Sequence, residues 1–164
     1  MTRLASDQPL VPSILDRLID ENPENSREPI KLRNQVISEL RQSIRRDLEN
    51  LLNTRWRCES WSPELTELDR SLVRYGIPDI SAANLSSEKG RWEFIRIVEE
   101  TIQLFEPRFK SVHVKFVENL DYTDRTLRFR IDAMLYGHPA PEPIVFDSAV
   151  EPSTGEFSVE GGGS

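Results

Sequence analysis

Apolar residues recur at helical spacing in two long stretches of the chain. After Pro29, a residue favoured in a first helical turn, apolar positions on every third or fourth residue predict one amphipathic helix that ends at Asn53. A second helix is predicted to begin near Lys89, with Ser86 or Ser87 as its N-cap. Its apolar face is broad, which indicates a central helix covered on more than one side. That face consists of Trp92, Phe94, Ile95, Ile97, Val98, Ile102, Leu104 and Phe105.

A short helical segment near the N-terminus carries a one-sided apolar stripe that begins after Pro12 and Ser13. Such a stripe must dock, either on its own domain, which the residues favour, or on a partner. The chain then divides into an N-terminal extension with this docking helix (1–28), a single domain (29–160) and a flexible glycine-rich tail (161–164). The stripe consists of Ile14, Leu15, Leu18 and Ile19.

One more short helix is predicted between the two long ones. Its apolar positions are Leu65, Leu68, Leu72 and Val73. We expect it to stop before Gly76, which suits a left-handed cap position, and Pro78 prevents its continuation.

Beyond Phe109 the period of the pattern changes from helical to alternating, which predicts half-buried strands. The first two strands alternate through Val112, Val114 and Phe116, and then through Leu127, Phe129, Ile131, Ala133 and Leu135. A turn at 121–124 joins them, a loop covers 137–143, and a third strand covers 144–147. The last strand, 156–159, is short, and we expect it at a sheet edge with unpaired backbone groups. Helices first and strands last predict an α+β fold, with N-terminal helices packed on a C-terminal antiparallel sheet of three to four strands.

Composition narrows the functional classes. The 164 residues are 37% apolar and 30% charged, with a net charge of −7, so electrostatic capture of nucleic acid is not expected. The segment 31–57 is locally basic, but no aromatic residue is interleaved with Arg41, Arg45 and Arg46 for base stacking. We therefore expect a solvated or partner-facing surface there. No segment approaches the roughly 18 apolar residues of a membrane span, and no secretory signal opens the chain, so we expect a cytoplasmic protein.

Catalytic chemistry finds little support in the residues. The single cysteine, Cys58, excludes an internal disulfide and is interpreted as inert. His113 and His138 lie far apart without a thiol or a Glu-x-x-His partner, so no metal site is predicted. No nucleophile elbow or phosphate-binding glycine loop occurs. Cofactors and small-molecule substrates are therefore not expected, although Glu99, Glu100 and Glu106 could nominally supply an acid.

The central feature of the sequence is the corner at 105–109, Phe-Glu-Pro-Arg-Phe. Pro107 has no backbone N–H and pushes Glu106 out of the α region, so the second long helix must end here. An acid and a guanidinium then flank a rigid turn between two phenylalanines. The residues alone leave open whether this corner is a plain turn or a docking surface, and they favour the turn because surface ion pairs are worth little.

Several motifs in order resemble one family. They are Pro-Ser-Ile-Leu-Asp-Arg-Leu at 12–18, Leu-Leu-Asn-Thr-Arg at 51–55, Ser-Leu-Val-Arg-Tyr-Gly-Ile-Pro-Asp at 71–79, Phe-Glu-Pro-Arg-Phe at 105–109 and Val-Phe-Asp at 145–147. Together they resemble the TssE family of bacterial type VI secretion, which is related to the baseplate wedge protein of contractile phage tails. The resemblance extends from about Pro12 to Val159, and Phe109, where a leucine is common, is a mild departure from it.

The resemblance implies a non-enzymatic component of the baseplate wedge. Such a protein contacts the other wedge proteins (TssF, TssG and TssK) and initiates the contractile sheath (TssB and TssC), whose strands its sheet accepts by β-augmentation. It implies a cytoplasmic location in a baseplate at the inner face of the cytoplasmic membrane, without membrane insertion. The related phage wedge protein is sometimes labelled lysozyme-like. The alternative function is therefore a hydrolase that cleaves peptidoglycan.

The resemblance also shifts the interpretation of the corner from a plain turn to a docking surface. The Glu-Pro-Arg triplet is the family signature and is implicated in holding the helical core bundle of the wedge. The expected partner-binding residues are Glu106, Pro107, Arg108, Asn53, Arg55, Leu15 and Arg17.

Overall fold

The computed structural model describes residues 13–18, 33–56, 60–79, 85, 87–118, 126–137 and 140–161. The α-helices are α1 (Ile14–Leu18), α2 (Arg33–Asn53) and α3 (Glu88–Phe105). Two short 3-10 helices, Thr66–Arg70 and Leu72–Arg74, lie between α2 and α3. The strands are β1 (Phe109–Val117), β2 (Leu127–Leu135), β3 (Glu142–Glu151) and β4 (Glu156–Gly161).

The four strands form one antiparallel sheet in the order β1-β2-β3-β4, so β1 and β4 are its edges. One face of the sheet is apolar and buried, as the alternating pattern predicted. The opposite face carries ion pairs between neighbouring strands: Lys115–Asp132 at 3.0 Å and Arg130–Asp147 at 2.8 Å. The predicted α+β class is confirmed.

The core lies between the buried face of the sheet and the two long helices. Phe94 of α3 stands at its centre, with ring centroids 5.9 Å from Phe116, 5.8 Å from Phe129 and 6.0 Å from Phe157. The helix α2 adds fully buried leucine and isoleucine side chains: Ile44, Leu48 and Leu52. Contacts between aromatic rings stabilise the fold by more than the burial of their apolar surface alone.

Trp92 departs from the predicted buried face of α3, because 67% of its surface is exposed. The cause is geometric, because Phe94, two residues further along the helix, is buried against the sheet. In an α-helix, residues two positions apart in sequence lie about 200° apart around the helix axis. Trp92 therefore points away from the core that Phe94 enters. Ser87 is the N-cap, and its side chain accepts a hydrogen bond from the Gly90 amide at 3.0 Å.

The predicted short helix over 65–73 is wrong in type. Ser71 adopts an extended conformation (φ −94°, ψ 170°) that divides the segment into the two 3-10 helices. Leu72 is 83% exposed. The apolar spacing that predicted a helix over this segment therefore does not mark a buried helix face. The predicted left-handed glycine is confirmed, because Gly76 has φ +105°.

Two predicted strand boundaries are also wrong. The loop predicted over 137–143 ends earlier, because Glu142 and Pro143 pair with Leu135 and Met134 of β2. Gly161, which was predicted to begin the tail, belongs to β4 instead, because it pairs with Phe146 of β3. Pairing with a long neighbouring strand extends both β3 and β4 beyond what their own residues indicate. The turn predicted at 121–124 lies outside the described residues.

Candidate interaction site at the Glu106–Arg108 corner

The corner is fixed by the end of α3 and the start of β1. The amide of Glu106 makes the last helical hydrogen bond, to the Ile102 carbonyl at 2.8 Å. The Phe109 amide then bonds to the Glu106 carbonyl at 3.3 Å, which turns the chain directly into β1. Phe105 is held against Tyr75, with ring centroids 5.3 Å apart. The proline therefore converts the most central helix into the first edge strand within a few residues.

The two charged side chains of the corner point at each other and not away from the domain. Glu106 is buried, with 5% of its surface exposed. One carboxylate oxygen accepts hydrogen bonds from the Arg108 amide (3.1 Å) and Nε (2.6 Å), and the other accepts from Arg108 Nη2. Pro107, between them, is exposed. A buried carboxylate is tolerated only with this degree of pairing.

Arg108 also joins the corner to the middle of α2. Its Nη2 lies 2.6 Å from Asp47 Oδ2, and its Nη1 donates to Ser43 Oγ at 3.2 Å. Burial favours loss of the charge, but the pairs with Glu106 and Asp47 outweigh it and raise the pKa of Arg108. The guanidinium thus bridges two carboxylates from different parts of the chain.

The contacts continue from α2 to α1. Ser43 Oγ donates to Asp16, and Arg46 Nη2 lies 2.7 Å from Asp16 Oδ1 and 3.1 Å from Asp47 Oδ1. Burial opposes ionisation of Asp16, but hydrogen bonds from Ser13, Ser43 and Arg46 hold its pKa far below the usual value. We call this set the corner network; it consists of Asp16, Ser43, Arg46, Asp47, Glu106 and Arg108.

The corner network holds α1 by a polar contact and leaves its apolar side chains outside. Ile14 is 79% exposed, Leu15 52% and Leu18 76%. Arg17 belongs to the same short helix. The predicted stripe exists, and its described members are presented to solvent. An apolar helix face in that position is available to a partner.

Asn53 and Arg55 lie at a different place, the outer edge of β4. The Asn53 side chain accepts from the Phe157 amide and donates to the Phe157 carbonyl, both at 2.9 Å. Arg55 donates to the carbonyl of Gly155, and Arg45 donates to that of Val159 at 3.1 Å. Side chains from α2 and from Arg55, just after it, thus bind Gly155, in the turn before β4, and the β4 residues Phe157 and Val159. We call this edge the closed edge.

The β1 edge is different. The Val114 amide points away from β2 and donates to Glu99 Oε2 of α3 at 3.2 Å. In an antiparallel pair, alternate residues direct their backbone groups to the same side, so Val112 and Phe116 present theirs along the same edge. Within the described ranges, no side chain forms a hydrogen bond with the outward backbone groups of Val112 or Phe116. We call this the open edge.

The structure therefore separates the predicted site residues into three places: the corner, the closed edge and α1. Sequence reasoning missed the four members of the corner network that lie on α1 and α2. A signal for them existed in α2, because Ser43, Arg46 and Asp47 share one helix face by their three- and four-residue spacing. A buried Glu-Pro-Arg corner requires such partners.

Other site chemistry is limited. Within the described ranges, no group of three or more histidine, cysteine, aspartate or glutamate residues could hold a metal ion. The same part of the chain contains no helix long and apolar enough to cross a membrane. The side chain of His113 is 74% exposed on the polar face of β1. Cys58 and His138 lie outside the described residues.

The fold and its contacts define a small α+β scaffold, in which a buried charge network joins the helices and a sheet presents one closed and one open edge. The chain belongs to the baseplate wedge protein gp25 family, whose model matches residues 38–140, more than half of the sequence. The match begins within α2 and ends before β3, so it includes Asp47, Glu99 and the corner.

Other comparisons add context only. A chain of a solved structure described as the baseplate complex from the type VI secretion system is similar, at 19% identity and a TM-score of 0.46. The similarity covers 70% of this chain and 96% of that one. No curated protein matches the sequence significantly. The assignment to the baseplate wedge family therefore rests on the match between the family model and residues 38–140.

Proposed function

We propose that this protein is a non-enzymatic structural component of the type VI secretion baseplate wedge. In this role it docks on other wedge subunits and initiates assembly of the contractile sheath, in a baseplate at the inner face of the cytoplasmic membrane. Membership of the baseplate wedge family supports the structural role. The sequence motifs, including the Glu-Pro-Arg corner, support the assignment to type VI secretion.

The observation that carries the sheath-initiating role is the difference between the two sheet edges. At the closed edge, Asn53 already makes both hydrogen bonds that a neighbouring strand would make to Phe157. At the open edge, backbone groups of Val112 and Phe116 face outward. A partner strand can add to a sheet only where such groups are available. We therefore place strand acceptance at β1, and not at the last strand.

The docking residues divide into two roles in this proposal. Leu15, Arg17 and Pro107 meet the wedge subunits, since Leu15 and Pro107 are exposed. Glu106 and Arg108 fix the surface that carries them, through the corner network. The residues at the closed edge, Asn53 and Arg55, direct strand addition to β1 by occupying β4.

The same proposal includes the domain organisation. One domain, 29–160, contains the core and the corner, and the extension 1–28 carries α1 as a docking helix. The hydrogen-bonded link between Asp16 and Arg46 supports this arrangement, because it attaches α1 without burying its leucines. Gly161 belongs to β4, so the predicted tail is kept only for 162–164, which lie outside the described residues.

Co-expression with the wedge and sheath proteins tests the function. Tagged wild-type protein is expected to co-purify with both groups, and Leu15→Asp is expected to lose the wedge proteins, because it places a charge on the apolar face of α1. Leu72→Asp is the matched control, since Leu72 is also exposed, at 83%, but lies on a 3-10 helix far from α1 in sequence. Unchanged thermal melts of both variants are required. A wild-type protein that captures neither group refutes the proposal.

A peptidoglycan-cleaving activity is the alternative that assays can decide. Its nominal acid, Glu106, is buried and has both carboxylate oxygens bound by Arg108, so the carboxylate faces the corner network and not an open cleft. We expect no turnover of purified peptidoglycan by the isolated protein. Turnover that is lost in Glu106→Gln, in a variant that still folds, would establish the hydrolase instead.

A further inference from the structure

The open edge of β1 carries one unusual contact. Val114 directs its amide outward, where a strand of a partner would supply a carbonyl oxygen, and Glu99 supplies a carboxylate oxygen there instead, at 3.2 Å. Glu99 comes from α3, and its side chain is 28% exposed. Its other oxygen lies 3.8 Å from His113 Nδ1. The carboxylate thus occupies one hydrogen-bonding position of the open edge, next to the outward backbone groups of Val112 and Phe116, to which no side chain of the described residues bonds.

Exposed strand edges pair with other chains unless they are blocked, and charged side chains aimed at the edge are a common block. A glutamate is suited to a reversible block, because its long side chain can rotate away without movement of the backbone. By contrast, the closed edge is blocked at alternate residues by Asn53, Arg45 and Arg55. The two edges are therefore protected to different degrees.

We propose that Glu99 is a displaceable guard of the open edge. In the free protein it covers the Val114 amide, and it leaves when a strand of a partner subunit pairs with β1 and supplies a carbonyl to that amide. The proposal rests on the strand-accepting function proposed above, and it adds the residue that controls access to the edge.

The surface beside the guard indicates the kind of strand that fits. Trp92 and Glu99 are seven residues apart, two helical turns, so they lie on the same face of α3. A groove along this face is lined by Trp92, Ile95, Glu99 and Gln103. Because Trp92 is 67% exposed, a strand that pairs with β1 gains most if its side chains toward α3 are apolar. The occupant is therefore an extended segment of a partner subunit with apolar residues on one side.

Amide hydrogen exchange of the full chain, followed by NMR, tests the guard in the free protein. We expect the Val114 amide to exchange about tenfold faster in Glu99→Ala than in wild type, which corresponds to the loss of one charge-assisted hydrogen bond. Glu99→Gln keeps an acceptor and is expected to be intermediate. Glu93→Ala, an exposed glutamate on the same helix, is the control and should leave Val114 unchanged. Equal Val114 exchange in all four proteins would overturn the proposal.

Capture of co-expressed sheath proteins tests displacement. We expect Glu99→Ala to bind them about tenfold more tightly than wild type, because no carboxylate must leave, and Trp92→Ser to bind more weakly. Weaker binding by Glu99→Ala, at an unchanged melting temperature, would make Glu99 a direct partner contact and overturn the guard. Equal binding by wild type and Glu99→Ala would overturn the guard alone. Failure of every form to capture sheath proteins would refute the proposed function as well.

Discussion

Replacement of Arg108 by alanine is the most informative single change, because it separates a structural role of the corner from a purely partner-binding one. Arg108 is the shared partner of Glu106 and Asp47, and the side chains of Arg108 and Glu106 are 17% and 6% exposed. The substitution leaves the Glu106 carboxylate buried without its cation. Loss of one partner from a buried ion pair costs about 3–5 kcal/mol. Asp47 is 26% exposed and can be rehydrated, so we expect about 3 kcal/mol.

Urea unfolding followed by circular dichroism measures this loss. For a domain of this size, about 3 kcal/mol corresponds to a fall in melting temperature of about 6–12 °C. Arg96→Ala is the matched control, because its pair with Glu100 is exposed (65% and 63%) and should contribute no more than about 0.5 kcal/mol. The double variant Glu106→Gln/Arg108→Ala should recover part of the loss, since the uncompensated charge is then absent.

The result that refutes this reasoning is a stable Arg108→Ala variant. If its unfolding free energy lies within about 1 kcal/mol of wild type, the corner network does not hold the fold together, and the charges of the corner serve partners alone. In that case the same variant should still lose its wedge subunits in co-purification. A destabilised variant that retains the wedge subunits under permissive conditions assigns Glu106 and Arg108 to the fold only.

Three other substitutions test separate parts of the structure. Gly76→Ala should destabilise by more than about 2 kcal/mol in a thermal melt, because Gly76 has φ +105° and an added Cβ would lie 2.2 Å from the Thr54 carbonyl oxygen. Asn53→Ala should cost about 1–2 kcal/mol in urea and accelerate exchange of the Phe157 amide, because both edge hydrogen bonds are lost. Asp16 has a lowered pKa in the folded chain, so the stability it contributes is present above its unfolded pKa of about 4 and is lost as pH falls further. The difference in unfolding free energy between wild type and Asp16→Asn should therefore be constant above about pH 5 and shrink below about pH 4.

Each of these has a matched control or a contrary result. Gly161→Ala should be harmless, because nothing lies within 4 Å of its added Cβ, and equal losses at Gly76 and Gly161 would contradict the steric explanation. Asn50→Ala, one turn earlier on α2 and exposed, is the control for Asn53. A pH-independent difference between wild type and Asp16→Asn would show that the Asp16 contacts do not depend on its charge.

The sequence predicted the elements that depend on local pattern. Periods of burial place Ile44, Leu48 and Leu52 on one side of α2 and alternate residues of each strand in the core, so these positions could be found by counting. Trp92 could not, because apolar character alone does not say which side of a broad stripe faces the sheet. Which of Trp92 and Phe94 is buried depends on how α3 is oriented over the sheet, and no local pattern contains that orientation.

The corner network shows a second limit, which is distance along the chain. Asp16 and Arg46 are 30 residues apart, and Asp47 and Arg108 are 61 apart. No helical or strand period links such positions, so the sequence suggested a corner whose charges face outward. The folded chain supplies internal partners for both charges. Whether other subunits also contact the corner stays a prediction for the co-purification experiments.

The unequal edges of the sheet also limit how copies of this protein can associate. Endless sheet growth requires that each added chain expose a new free edge of the kind just used. Here two copies that paired through β1 would leave the β4 edges of the described sheet outside, and at each of these Asn53 already binds the backbone of Phe157. Sheet pairing between identical chains through these edges would therefore stop at two copies and would not extend into a fibre.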